Sequence, residues 1–162
     1  MLTDGLVRLR PWRPADAAEV HRICQDPEIQ RWTTVPVPYR LVDAEGFVAA
    51  GNPFAVEDVA TGGLAGSMSV PRFHEGVAAV GYWTAAGFRG GGRTAAALRL
   101  LTGWCFAERG CARVELVADV RNAGSRAVAR RAGFTEEGVL RSRMVHRGER
   151  IDVVMCARLP AP

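Results

Sequence analysis

Lysine is absent from this chain. All 21 basic residues are arginine, set against 17 Asp and Glu, and the formal net charge is +4. The arginines form no single block and no aromatic-rich RNA-reading motif occurs, so the charge does not point to nucleic acid. A modest positive balance suits an anionic small ligand. Long apolar runs are missing too; none approaches a membrane span. The opening MLTDGLVRLRPW lacks the charged-then-apolar pattern of a secretory signal, and the expectation is a cytoplasmic chain that does not enter a membrane. Cysteine is scarce. Cys24, Cys105, Cys111 and Cys156 form no CxxC pair and no Cys/His cluster at zinc spacing, so no metal is expected. Cys105 lies in a helical apolar pattern and Cys156 in a strand pattern, which suits reduced core thiols.

Repeats, linkers and low-complexity tracts are also missing, and 162 residues suit one domain, 1–162. GLVRLRPWRP alternates apolar and charged residues as a strand that Pro11 and Pro14 end. Asp16 is placed to cap a helix through His21 and Cys24. A short helix is expected through Ile29 and Trp32, and another over LVDAEGFVAAG ending at Gly51. Thr61-Gly62-Gly63 marks a hairpin turn between two strands. GVAAVGYWTA is a more buried strand. Ala97, Leu98, Leu101, Trp104 and Cys105 then recur at helical spacing up to Gly110. A strand (CARVELVADV), a short helix ended by Gly133 and a hairpin turning near Arg147-Gly148 complete a mixed α/β order.

The richest stretch is GYWTAAGFRGGGRTAAALRLL, from Gly81 to Leu101. Three consecutive glycines weaken the strand and helix beside them, so a close approach to the backbone is expected there. Glycines before a helix start present unpaired N–H groups to an anion, and Arg89 and Arg93 flank the turn with guanidinium groups. A bare tight turn remains open. GFRGGGRT also nearly fits the P-loop pattern GxxxxGK[ST], with Arg93 in place of lysine. That pattern needs a largely parallel sheet, which the hairpins disfavour.

RGGGRT resembles the acyl-CoA pyrophosphate loop of the GNAT acetyltransferases, Q/R-x-x-G-x-G/A. GYWTAAGFRGGG, DVRNAGSRAVARRAGFTEEGVLR and GLVRLRPWRPADAAEV resemble, in order, segments of that superfamily's RimJ/RimL-type branch. The resemblance spans nearly the whole chain. It implies a mixed, mostly antiparallel sheet that splays between its fourth and fifth strands and admits acetyl-CoA or another short acyl-CoA. By resemblance, Trp83 and Thr84 lie where backbone pairs with the pantetheine arm. Arg89, Gly90, Gly91, Gly92, Arg93 and Thr94 would hold the pyrophosphate, and Asn122 the cofactor arm. Ser125 matches a serine that protonates the leaving thiolate, though serine at a helix start also suits a cap. The resemblance further implies direct attack by an amine, of a protein N-terminus or a small molecule, and a possible homodimer.

Three positions depart from the pattern: Thr94 at the last Gly/Ala, Ala79 where a glutamate is common, and Cys156 where a tyrosine is common. Ala79 and Cys156 leave open a CoA-binding protein with altered chemistry. No general base is assigned; His74, Glu75, Asp26, Glu28 and His146 are available and are ordinary surface groups. Asp152 is expected to pair with an arginine. Acceptor contacts are expected in the region from Asp26 to Gly51, where Trp32 and Tyr39 suit aromatic walls or core.

Overall fold

The computed structural model describes residues 1–161. Eight strands form one sheet: β1 (Leu2–Thr3), β2 (Val7–Arg10), β3 (Phe54–Asp58), β4 (Leu64–His74), β5 (Val77–Thr84), β6 (Arg113–Asp119), β7 (Thr135–His146) and β8 (Glu149–Arg158). Their spatial order is β1-β2-β3-β4-β5-β6-β8-β7. Every pairing is antiparallel except β5 with β6. The helices are α1 (Ala17–Ile23), α2 (Pro27–Trp32), α3 (Leu41–Ala49), α4 (Arg93–Arg109) and α5 (Ala123–Arg131).

Alternation along the strands sorts the apolar residues onto two faces. Val7, Leu9, Val56, Met68, Ala78, Val80, Val114, Leu116 and Cys156 pack with Leu98, Leu101 and Cys105 of α4. Ala95, Ala96 and Ala97 are buried and let that helix sit close to the sheet. The second face gathers Val20, Ile23, Ala44, Val48 and Trp83 under α1 and α3. Burying a leucine such as Leu98 or Leu101 stabilises by about 1.5–3 kcal/mol.

The sheet opens at its parallel pair. β5 meets β6 only where Val77, Ala78 and Ala79 face Arg113, Val114 and Glu115. Beyond that point Gly81–Thr84 pair with β4 alone and Leu116–Asp119 with β8 alone. The expected splay between the fourth and fifth strands is therefore present, between β5 and β6 once the two-residue β1 is counted. The β4 edge of the same region is bulged between Ser69 and Arg72. Pro71 has no N–H to give a ladder, and it falls within that irregularity. Ser69 Oγ donates to the Gly81 carbonyl at 3.0 Å beside the bulge.

Two local expectations are corrected. Asp16 stands at the head of α1 but makes no side-chain cap there. Its carboxylate takes the Arg13 N–H at 2.8 Å and the Arg10 guanidinium at 2.8 and 2.9 Å. Among the described residues Asp152 is in no ion pair; its Oδ1 accepts the Ser142 N–H at 2.7 Å, at the β7–β8 irregularity between Leu140 and Met144.

Candidate functional site

The glycine run joins the open end of β5 to the N-terminus of α4. Gly90 and Gly92 have φ of +80° and +79°, a region that favours glycine, and a Cβ at either would meet nothing within 4 Å. Gly92 is the N-cap and supplies no side-chain oxygen. Among the described residues, the N–H groups of Gly90 to Thr94 have no backbone partner outside the helix ladder. The first turn of a 17-residue helix thus presents its free donors and its partial positive charge to open space.

The two flanking guanidinium groups do not face that space freely. Arg89 holds Asp26, the N-cap of α2, at 2.6 Å and the Thr84 carbonyl at 3.1 Å. Arg93 holds Asp58 at 2.6 Å and lies 5.6 Å over Phe88. Asp58 is fully buried; the Arg93 guanidinium, then the Thr61 hydroxyl, hold its carboxyl below the usual carboxylate range. Arg93 therefore offers the loop its amide, while its side chain locks the loop to the β3–β4 turn. Thr94 turns its hydroxyl onto that of Thr84 at 2.7 Å, fastening the end of β5 to the start of α4.

Strand parity decides which backbone faces the gap. Ala85 N–H donates to Ala65 C=O, so Ala85, Trp83 and Gly81 turn their backbone groups toward β4. Val80, Tyr82 and Thr84 turn theirs toward the side that β6 has left. Thr84 is thus on the gap side. The Trp83 backbone belongs to the β4 ladder opposite Ser67, and its ring is buried between Trp12 and Phe47. A Cβ on Gly66 would collide with the Trp83 carbonyl oxygen, so glycine is needed for this close strand pair.

Across the gap, Asn122 caps α5 by accepting the Ser125 N–H at 3.0 Å. Ser125 Oγ lies 2.9 Å from the Tyr82 hydroxyl, which also donates to the Ser125 carbonyl at 3.2 Å. Burial pushes the Tyr82 phenol up to about 12 against the opposing pull of the Ser125 hydrogen bond. The phenol is therefore protonated at neutral pH. Sequence reading missed Tyr82; it is part of GYW, but nothing in the motif reveals a partner 43 residues away. Cys156 is buried in the core and its thiol is raised chiefly by burial, which keeps it protonated.

The remaining candidates separate. His74 and Glu75 are exposed at the β4–β5 turn, at the end of β5 opposite Thr84. Glu28 accepts from Trp32 Nε1 at 3.0 Å, and His146 Nε2 sits 2.9 Å from the Arg31 carbonyl. Tyr39 is core and Trp32 is a wall of an open cavity. Opposite Ala79, the last paired position before the gap, stands Glu115 on β6. It is held by Arg113 at 2.8 Å and Arg72 at 3.4 Å.

No group of three or more His, Cys, Asp or Glu suited to a metal ion occurs among the described residues, and no helix there is long and apolar enough to cross a membrane.

Residues 7–135 match the family described as Acetyltransferase (GNAT) domain. Over 77 residues the chain is 43% identical to "Putative ribosomal N-acetyltransferase YdaF" of Bacillus subtilis (strain 168), a match that spans 48% of this chain and 42% of that protein. Mycobacterium smegmatis RimJ in complex with CoA-disulfide has a similar structure, with TM-score 0.81 and 29% identity, covering 94% of this chain and 81% of the other. Microcin C7 self immunity acetyltransferase MccE, in complex with acetyl-CoA and AMP, shares the fold at TM-score 0.85 and 22% identity, covering 98% and 94%. With the family model matched over most of its length, the chain belongs to the GNAT acetyltransferase family.

Proposed function

We propose that this protein is an acetyl-CoA-dependent N-acetyltransferase of the RimJ/RimL type that acetylates a primary amine, with a protein N-terminus as its acceptor. The observation that carries the reading is the gap between β5 and β6, which opens onto the unpartnered amides of Gly90 to Thr94 at the head of α4. The cradle suits a pyrophosphate: among the described residues its amides have no backbone partner, no side chain stands over Gly90 or Gly92, and the cationic Arg93 guanidinium lies over Gly91. Acetyl-CoA supplies the thioester-activated acetyl group.

The chain's own residues then have separable tasks. The amides from Gly90 to Thr94 bind the pyrophosphate, with Arg89 and Arg93 holding the loop in shape. The gap-facing backbone of Tyr82 and the Thr84 N–H pair with the pantetheine arm, the Thr84 carbonyl being held by Arg89, and a β5 N–H polarises the thioester carbonyl. Asn122 spends its Oδ1 on the helix cap and keeps its NH2 for the cofactor arm. The acceptor nitrogen forms its bond to the acetyl carbon as the C–S bond breaks. Ser125, held by Tyr82, gives the departing sulfur its proton and regains one from solvent, while the nitrogen's surplus proton passes to solvent. No acyl-enzyme is needed, and the raised thiols of Cys24, at about 11, and Cys105, at about 12, are poor competing nucleophiles at neutral pH. Four buried, unpaired cysteines suit a reducing cytoplasm.

The test is acetyl-CoA with a panel of N-terminal peptides and small primary amines, followed by thiol release and product mass. Acetyl-CoA-dependent mass gain on the peptide α-amine is expected. Binding of acetyl-CoA without transfer to any amine would overturn the enzyme reading.

A further inference from the structure

A second cavity lies beside the gap, with a volume of about 320 Å³, walled by Arg31, Trp32, Arg121, His146, Arg147 and Glu149. Two tethers connect it to the site above. α2 is held at its first end to the glycine loop through Asp26 and Arg89, and its last residues, Arg31 and Trp32, form one wall. Arg121 forms another wall and immediately precedes Asn122, whose cap sets Ser125 against Tyr82. The third wall is the β7–β8 turn. It is strapped over α2 by His146 on the Arg31 carbonyl at 2.9 Å and by Arg147 on the carbonyls of Gln30 at 2.9 Å and Val35 at 3.1 Å.

The charges are unequal. Three arginines face one glutamate in the lining. Arg121 is committed to Asp119 through bonds of 2.9 and 2.6 Å. Arg147 is bonded to neutral carbonyls only, and Arg31 lies 4.5 Å over the Trp32 ring with the Glu28 carboxylate no nearer than 3.8 Å. Among the described residues these two guanidinium groups therefore lack a hydrogen-bonded carboxylate, and both sit on an open cavity. A guanidinium in that state favours a carboxylate ligand, which it binds through a planar pair of donors.

We infer that this cavity reads an acidic side chain of the acceptor peptide, and that the enzyme prefers N-termini carrying Asp or Glu a few residues after the acetylated amine. The inference rests on the acetyltransferase reading. A six-residue α2 spans about 9 Å, which an extended peptide covers in about three residues. Arg31 and the remaining Nη1 of Arg147 hold the carboxylate, Trp32 packs against its chain, Glu149 is offset by Arg121, and the arginines repel a basic residue at the same place.

The experiment uses peptides that differ only in carrying Asp, Asn or Lys at their third and fourth positions. It measures kcat/KM by thiol release and binding by anisotropy of a labelled peptide in the presence of CoA. The Asp peptide is expected to exceed the Asn peptide by about tenfold, the worth of one charge-assisted hydrogen bond, and the Lys peptide to be the poorest. Arg31→Gln should shrink the Asp advantage, and Arg31→Glu should reverse the order of Asp and Lys. The Arg31 side chain is 62% exposed, so the fold tolerates both. Equal affinity and kcat/KM for Asp and Asn, or a Lys preference in the wild type, overturns the inference. So does the absence of any anisotropy change with the acidic peptide. Thermal stabilisation by acetyl-CoA, measured without peptide, separates failure of this inference from failure of the acetyltransferase reading.

Discussion

Replacing Gly92 and Gly110 by alanine separates backbone strain from ligand binding within one helix. Both glycines bound α4, Gly92 at its N-cap with φ +79° and Gly110 at its C-cap with φ +61°, and neither would give a Cβ any neighbour within 4 Å. The two stand roughly 25 Å apart along the helix. Each substitution forces a left-handed alanine at a cost of about 1 kcal/mol. For a chain of this size that lowers Tm by about 2–4 °C. The stability losses should match. The binding losses should not. At Gly92 the new methyl projects into open space beside the start of α4; if the cradle holds the pyrophosphate there, losing one charge-assisted amide contact costs about 1.5–3 kcal/mol, or roughly ten- to a hundredfold in Kd. Calorimetric titration of acetyl-CoA into each variant reads that difference, with the Gly110→Ala variant retaining the wild-type Kd. Equal Kd values for the two variants would refute the cradle, because strain alone would then explain everything the Gly92 change does.

Other consequences follow from single contacts. Ser125→Ala should lower kcat about a hundredfold while leaving acetyl-CoA affinity unchanged, as expected for loss of a general acid. Tyr82→Phe should lower kcat less and add little on top of Ser125→Ala, since the two hydroxyls share one hydrogen bond; full additivity in that double-mutant cycle would contradict the coupling. Gly66→Ala drives a methyl into the Trp83 carbonyl of the neighbouring strand and should destabilise by about 1–3 kcal/mol, readable as a lower urea midpoint; a wild-type midpoint would mean β4 and β5 are less closely paired than they stand. The Asp58 carboxyl is depressed by Arg93 and Thr61, so its stabilisation is present above the unfolded value of about 4 and fades as pH falls through the folded value. Asp58→Asn should therefore flatten the loss of stability between neutral pH and pH about 3, and an unchanged acid limb in urea titrations would contradict it.

The parts of this molecule legible in its sequence are those governed by near neighbours. Thr61-Gly62-Gly63 and Arg147-Gly148 are turns because their backbone must enter the left-handed region, at Gly62 and at both residues of the second pair. α4 shows its 3.6-residue period and ends at Gly110. Partnerships across the chain were not legible. Asp16 looks like a cap locally, yet Arg10 on β2 takes its carboxylate. Arg93 looks like a phosphate ligand in its loop, yet a buried aspartate 35 residues earlier holds it. Alternation shows that Trp83 and Thr84 point to opposite faces; only the β4 pairing shows that Thr84, not Trp83, gives its backbone to the gap. The bulge had a signal in Pro71, a residue unable to donate within a strand. The Arg31–Arg147 cavity had none, because its walls meet only when the last hairpin folds over α2.

The most direct measurement is the thermal shift of the wild type and Gly92→Trp with acetyl-CoA, succinyl-CoA, free CoA and Mg·ATP. A ligand that binds only the folded chain raises its Tm, by an amount set by its concentration relative to Kd. Stabilisation of the wild type by the CoA compounds, lost in Gly92→Trp and not reproduced by Mg·ATP, is the predicted result. No shift with any CoA compound would return Gly90, Gly91 and Gly92 to being a turn.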